Sequence, residues 1–296
     1  MESLPNGIKT GFTELDQLTG GLRKSDLILL ASTSDQGNTA LAMNIATNLL
    51  FADSPQPVLL FSMEMKNHAI MSHFIAAEAK VDLNEIRNGS FKRERWQDLT
   101  TAAARFAESP LHLNSTCMTL SSIISAATDL QNKLRGTNGG LGLIVIDQLR
   151  YMQQSRSTYD AFNEKGDSRK AVHDFIDRIE ATVHFGGSQG GIPGDLPALK
   201  QLAKDLDVAV LVLHQLPSKI KPESRRSQLV QPDPFRGFDD HLENSAADMI
   251  AFIDLDFSHR ERKDAQIAIA KNAHGETGSI SLRYDREYAR FTERPV

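Results

Sequence analysis

The sequence predicts an α/β fold with a mostly parallel central sheet, helices on both faces of that sheet and an antiparallel C-terminal edge. Short runs made almost entirely of apolar residues alternate along the chain with longer segments of helical period, which is the order of βαβ units. The runs lack polar alternation, as expected for strands that are buried on both faces. Near the C-terminus the apolar period changes to two, which is typical of antiparallel strands.

Four apolar runs are predicted to form the parallel strands. Each is rich in Val, Ile or Leu, and they are Leu27–Ala31, Val58–Met63, Leu143–Ile146 and Val208–Leu213. The segments of period two, Gln266–Ala270 and Ser279–Tyr284, are predicted to finish the sheet as antiparallel strands. Such runs match the length and composition of strands in α/β proteins.

The segments between these strands are predicted to be helical. Leu41, Ile45 and Leu49 recur every four residues, which places them on one apolar stripe. Similar spacing predicts helices over Ala69–Ala79, Trp96–Ala107, Leu120–Leu134 and Pro197–Leu206, with another around Val172–Val183.

Two stretches interrupt this order. Residues 151–195 contain a polar segment and five glycines within the eleven residues from His184 to Gly194, and we predict a mobile insertion there. Residues 218–240 are rich in charge and proline. No repeat or linker divides the chain, so residues 1–296 are expected to form a single domain.

Composition limits the classes of function. The 33 Lys and Arg residues against 38 Asp and Glu give a net charge of −5, which excludes a polybasic coat but not a local basic patch. A single cysteine, Cys117, excludes an intrachain disulfide and fits an intracellular setting. The sequence shows neither a signal peptide nor a run of eighteen apolar residues, so we expect a soluble, cytoplasmic protein without a membrane partner.

The segment after the first strand has the context of a phosphate loop. Ser32 to Ala40 joins this strand to a helix, where backbone N–H groups and a helix N-terminus can point at an anion. Of the pattern G-x-x-x-x-G-K-[ST], Gly37 and Thr39 are present, while Asn38 replaces the lysine and Ser32 the first glycine. The alternative is an ordinary strand-to-helix turn with Thr39 near a cap.

Several further motifs occur in an order that identifies a family. They are Gly7–Leu22, Phe61–Met65, Leu143–Asp147, His214–Leu216 and Tyr284–Phe291. Together they resemble the C-terminal motor domain of DnaB-type replicative helicases, over essentially the whole chain. The resemblance implies a RecA-like P-loop NTPase fold, and we expect the family's N-terminal primase-binding domain to be absent.

The resemblance also implies roles for individual residues. Thr39 and Asp147 would hold Mg²⁺, Glu64 would polarise the attacking water, and Gln215 would sense the γ-phosphate. The nucleotide-binding residues would be Ser34, Asp35, Gln36, Gly37, Asn38, Thr39, Ala40 and Lys271, with ATP and Mg²⁺ as cofactors if nucleotide binds at all. The alternatives are a helix cap for the acids and a satisfied polar group for Gln215.

The sequence departs from the family where the triphosphate needs positive charge. Asn38 replaces the loop lysine, and Thr33 stands where the family commonly has arginine. Asp35 adds a negative charge, and a like charge at ~4 Å costs ~4 kcal/mol at an effective dielectric of 20. Ala273 occupies the position of the finger arginine that reaches a neighbouring subunit, a contribution typically worth ~10³–10⁵ in rate. His274 is a weak substitute because imidazole is mostly neutral at physiological pH.

Positive charge remains in the second interrupting segment. Between Ser218 and Val230 four basic residues face one acid, a local charge of +3. The family uses loops at this place to hold single-stranded DNA, so the candidate contacts are Lys219, Lys221, Arg225, Arg226 and Arg236. The alternative is a solvated loop, since no aromatic residues are interleaved for base stacking.

Two other groups of residues have a simpler interpretation. A second basic cluster, Arg87, Lys92, Arg93 and Arg95, is interpreted as a solvated helix face. The histidines His68, His73 and His173 lack metal-ligand spacing, so zinc is not expected.

Three classes of function follow. The favoured class is a DnaB-like protein of DNA replication that binds DNA, with nucleotide binding in doubt and ATP hydrolysis weak or lost. The alternatives are an active ATP-dependent 5′–3′ DNA helicase and a non-catalytic scaffold or regulator of a true helicase. The expected partners are single-stranded DNA, further copies of the chain in a homo-oligomeric ring, and a helicase loader or another replication protein.

Overall fold

The computed structural model describes residues 7–32, 37–117, 119–136, 139–147, 196–216, 245–255 and 262–294. The predicted insertion at 151–195, the helix around Val172–Val183 and the segment 218–240 lie outside these residues. No helix among the described residues is long and apolar enough to cross a bilayer.

The described strands form one nine-stranded sheet in the order β3-β2-β4-β5-β1-β6-β7-β8-β9. Strands β3, β2, β4, β5, β1 and β6 are parallel to one another, and β7, β8 and β9 continue the sheet antiparallel. The predicted α/β class, with a mostly parallel sheet and an antiparallel C-terminal edge, is confirmed. The strands are β1 (Leu27–Ser32), β2 (Val58–Ser62), β3 (Leu111–Asn114), β4 (Leu143–Asp147), β5 (Ala209–Gln215), β6 (Met249–Leu255), β7 (Arg262–Asn272), β8 (Gly278–Asp285) and β9 (Arg290–Glu293).

Helices cover both faces of the sheet. They are α1 (Thr13–Thr19), α2 (Asn38–Leu50), α3 (Asn67–Ala79), α4 (Leu83–Asn88), α5 (Trp96–Glu108), α6 (Leu120–Arg135) and α7 (Leu196–Leu206). The apolar stripes of α2, α3 and α5 pack in one core, and those of α6 and α7 pack in the other.

Strand β1 shows why its sequence is apolar throughout. Ile28 and Leu30 belong to the core beneath α2, while Leu27, Leu29 and Ala31 belong to the core beneath α6 and α7. Successive side chains of a strand point to opposite faces, so a strand between two helix layers has no solvated side. The same reasoning applies to β4, in which all five residues are buried.

Candidate functional site

The carboxyl ends of β2, β4, β5 and β1 meet at one edge of the sheet, which we call the carboxyl edge. These four strands are neighbours in that order. The register places Ser62 beside Asp147 and Ser32 beside Gln215. Ligands of open α/β sheets bind beyond the carboxyl ends of the strands. This edge is where the predicted residues Glu64, Asp147 and Gln215 come at or just after the ends of their strands.

The second half of the predicted phosphate loop begins helix α2. Gly37 has a left-handed φ of 77°, and a Cβ there would lie 3.2 Å from the ring of Phe291. Glycine alone accepts both the conformation and this close approach. Ser34, Asp35 and Gln36 of the loop, and Thr33 before them, lie outside the described residues.

Asn38 is the first residue of α2 and only 9% exposed. Its side-chain Oδ1 accepts a hydrogen bond from the Thr39 N–H at 3.0 Å. Its Nδ2 is buried and has no hydrogen-bond partner among the described residues. The amide thus binds the N–H of the next helical residue and offers one neutral donor where the lysine pattern would offer a cation. Ala40, the third helical residue, has its side chain in the core.

Thr39 and Asp147 are in contact. The Thr39 hydroxyl donates to Asp147 Oδ1 at 3.2 Å. Asp147 is 1% exposed, and its Oδ2 has no hydrogen-bond partner in the described part of the chain. Burial raises the pKa of Asp147 to about 7, and the nearby charge of Glu64 also raises it, whereas the hydroxyls of Thr39 and Ser62 lower it.

Glu64 and Gln215 complete the carboxyl edge. Glu64 is exposed, two residues after β2, in a turn where the Ser62 hydroxyl accepts the Met65 N–H at 3.1 Å. Gln215 is the last residue of β5. The structure thus brings together Thr39, Glu64, Asp147 and Gln215, the four residues predicted to handle Mg²⁺, water and the γ-phosphate.

The donor set suits Mg²⁺ better than it suits triphosphate. A hydroxyl and a carboxylate with an unused oxygen are the hard ligands that Mg²⁺ takes, completed by waters and phosphate oxygens. Phosphates also need positive charge, but the first turn of α2 supplies only backbone N–H groups and the Asn38 amide. The residues therefore fit the metal, and they fit the triphosphate poorly.

Lys271 lies at the opposite end of the sheet, which we call the amino edge. It pairs with Ile250 near the start of β6, while Met249 of β6 lies beside Ile28 near the start of β1. Its Nζ donates to the Ser245 carbonyl at 3.1 Å. Within one chain Lys271 is thus remote from Thr39, and its predicted contact with a neighbouring subunit's nucleotide stays a prediction.

Ionic contacts attach the segment after Lys271 to the amino edge. His274 Nε2 lies 3.3 Å from Asp26 Oδ1, and Lys200 Nζ lies 2.5 Å from Asp248 Oδ2 and 3.6 Å from Asp26 Oδ1. Burial raises the pKa of Asp26, and the charge of Asp248 also raises it, while His274 and Lys200 lower it. Asp26, Asp248 and His274 form a group with metal-ligand spacing, but the Lys200 ammonium already contacts both carboxylates.

The remaining predicted contacts could not be placed. The DNA-binding candidates Lys219, Lys221, Arg225, Arg226 and Arg236 lie outside the described residues. Sequence reasoning gave no role to the hydroxyls of Ser32 and Ser62, which are buried at strand ends on the carboxyl edge. A serine that ends an otherwise apolar run was the signal that could have identified them.

The strand order defines the class of protein as a RecA-like α/β domain. A solved ATPase domain, 24% identical, matches 99% of this chain and 93% of its own with a TM-score of 0.72. The structure of a DnaB-like replicative helicase, studied with its interactions with primase, is 22% identical and has a TM-score of 0.71, with 98% of this chain and 64% of that chain covered.

The family follows from the sequence comparisons. The family model of the DnaB-like helicase C-terminal domain matches residues 7–183 and 172–293, and the chain belongs to this family. The replicative DNA helicase DnaB of Haemophilus influenzae is 32% identical over 298 residues, and that of Geobacillus stearothermophilus is 28% identical over 290 residues. Each alignment covers 96% of this chain but only 55% and 56% of these relatives, so the chain spans little more than half of their length.

Proposed function

We propose that this chain acts in DNA replication as a DnaB-like ring component that binds DNA, binds Mg²⁺–nucleotide weakly at best, and hydrolyses ATP slowly or not at all. The family and the relatives named as replicative helicases support the setting. The carboxyl edge supports the rest, since it keeps the metal-binding side chains but not the cation of the loop.

The observation that carries this proposal is the environment of Asn38. Its Oδ1 is occupied by the Thr39 N–H, so the side chain has only its neutral Nδ2 group left to donate to a phosphate. Phosphoryl transfer depends on positioning and on cations that neutralise charge developing on the phosphate oxygens. Bound Mg²⁺ would supply Lewis-acid charge at Thr39 and Asp147, and Glu64 would orient water, but the loop adds no positive side chain.

The amino edge argues against an active motor built from substitute cations. Lys271 donates to Ser245 and His274 contacts Asp26, both in the same chain. A cation that acts across a subunit interface would have to leave these contacts, and Ala273 offers no replacement. The active 5′–3′ helicase is therefore the weaker alternative, and the scaffold or regulator of a true helicase stays compatible with the same geometry.

The nucleotide part of the proposal is tested by equilibrium binding of Mg²⁺–ATP and by steady-state hydrolysis. The double variant Asn38→Lys with Asp35→Ser should bind Mg²⁺–ATP at least tenfold more tightly than the wild type, because it restores a cation and removes a like charge. The single variant Asp53→Ser, at an exposed turn, is the matched control. Hydrolysis by the wild type at a helicase rate, abolished by Glu64→Gln, would refute the proposal.

The DNA part depends on the segment 218–240. Changing Lys219, Lys221, Arg225 and Arg226 together to Ala should weaken oligonucleotide binding and reduce its dependence on salt, because fewer counterions are released. Unchanged binding by this variant would move the DNA site elsewhere. Analytical ultracentrifugation with and without DNA tests the ring, and co-purification with a replicative helicase or its loader tests the regulator alternative.

A further inference from the structure

An aromatic pair lies on the surface where α5 begins. Among the described residues, Trp96 is the one large hydrophobic side chain that is exposed, and 58% of its surface is accessible. Its ring stacks on that of Phe91, with centroids 5.7 Å apart and planes 20° from parallel. Helix α5 is fixed by buried Leu99 and Phe106, so a rigid element holds an indole ring whose outer face contacts solvent.

Two free cations flank this pair. They belong to the second basic cluster, which was interpreted from the sequence as a solvated helix face. Two members of that cluster have partners, since Arg95 forms a salt bridge with Asp98 at 2.9 Å and Arg87 contacts His73 at 3.1 Å. The other two, Lys92 and Arg93, are exposed and have no side-chain partner among the described residues. Arg93 and Trp96 line the same shallow cleft, whose remaining walls are Phe91, Glu94 and Gln97.

We propose that this cleft, the Trp96 cleft, binds single-stranded nucleic acid. A base would stack on the exposed face of Trp96, and the adjoining phosphates would contact Lys92 and Arg93. Proteins hold single strands by this combination of aromatic stacking and backbone cations, and stacking tolerates any base because every base has a π face. An acidic peptide would use the two cations but carries a flat ring only where an aromatic residue occurs, whereas every nucleotide places a ring beside a phosphate, so the aromatic pair with its cations favours nucleic acid.

The cleft is independent of the proposed function. It contains no residue of the phosphate loop and none of the segment 218–240. It also supplies the aromatic side chains that the segment 218–230 lacks. The proposal therefore adds a second contact for a strand, made by other residues, and it can fail while the first contact stands.

Trp96 itself provides the probe, because it is the only tryptophan of the chain. Titration of the wild type with a twelve-nucleotide oligothymidylate should quench Trp96 emission to saturation, and added salt should weaken the effect. Polyglutamate is the polyanion control, and serial dilution of the protein alone tests contact between copies. Absence of quenching, equal quenching by polyglutamate, or emission that changes on dilution would each overturn the proposal, the last two in favour of an acidic protein or a second copy.

Variants provide a second readout, the fluorescence anisotropy of a dye-labelled oligothymidylate. To isolate the cleft, they are made in the background with the four basic residues of 219–226 changed to Ala. Trp96→Ala should weaken binding about 5- to 100-fold, and Trp96→Phe should keep most of it. Arg93→Glu should weaken binding and flatten its salt dependence, whereas Lys133→Glu, the same charge change at an exposed position of α6, should not. Equal affinities for Trp96→Ala and the parent protein would overturn the assignment, and circular dichroism verifies folding.

Discussion

Replacing Asp147 by asparagine is expected to stabilise the fold above neutral pH. Burial raises the pKa of Asp147 from its ordinary 3.8 to about 7, so the folded chain keeps a proton that the unfolded chain releases near pH 4. The free energy of unfolding therefore falls as pH rises between these two values. Asparagine is neutral at every pH, and its Oδ1 can still accept the Thr39 hydroxyl.

The two pKa values set the magnitude. The difference corresponds to about 4 kcal/mol at pH 8, and about 3 kcal/mol of that develops between pH 5 and pH 8. Solvent screening does not reduce the effect much, because Asp147 is only 1% exposed. The ionised carboxylate is thus a group that lowers the free energy of unfolding of the fold that buries it.

Urea unfolding followed by circular dichroism checks this prediction, with EDTA present and nucleotide absent. Asp147→Asn should exceed the wild type in the free energy of unfolding by a margin that grows from pH 5 to pH 8. Asp53→Asn, at an exposed turn, should show no such growth. A margin that is constant with pH, or a variant less stable than the wild type at pH 8, would show that the folded state stabilises the charged carboxylate.

Three further substitutions test a buried hydrogen bond, a left-handed glycine and a salt bridge that the structure assigns. Asn44→Ala should cost about 1–3 kcal/mol, because Asn44 Oδ1 accepts the buried Phe291 N–H at 2.5 Å, and thermal unfolding would measure the loss. Gly37→Ala should cost about 1–2 kcal/mol, since alanine would need a left-handed φ, and urea unfolding would detect it. Lys200→Met should cost up to about 3 kcal/mol by leaving the carboxylate of Asp248 without its cation, most clearly at neutral pH in the same assay.

Each substitution has a matched control. Asp129→Ala on the exposed side of α6 controls for Asn44→Ala, and Gly136→Ala, where φ is −78° and nothing lies near the added Cβ, controls for Gly37→Ala. Lys204→Met changes an exposed lysine of the same helix as Lys200. Losses as large in the controls as in the test variants would contradict the assigned contacts.

Four of the six parallel strands, β1, β2, β4 and β5, could be predicted because both of their faces are buried. Every residue of β4 is covered, and no competing pattern gives a short run without polar residues. Strand β3 was not predicted from the sequence, because it is an edge strand whose four residues are all half-buried. Helix α4 was not predicted either, because it has only six residues and none of them is buried. Its sequence therefore shows no apolar stripe.

The site was predictable to the extent that it lies at strand ends. Asp147 directly follows an apolar run and Gln215 follows one after His214, and parallel strands bring their carboxyl ends to one edge. The position of Lys271 at the other edge depends on the antiparallel register of β6 and β7, which periodicity alone does not set. Contacts such as that of His274 with Asp26, 248 residues apart in the sequence, depend on tertiary packing.

The carboxyl edge and the amino edge lie at opposite ends of the sheet and carry different residues, so the two ends of the domain are not equivalent. In a head-to-tail ring that set the carboxyl edge of one subunit against the amino edge of the next, the two contacts of each subunit would use different residues. A substitution at the amino edge and a substitution at the carboxyl edge of the same chain would then disturb opposite neighbours.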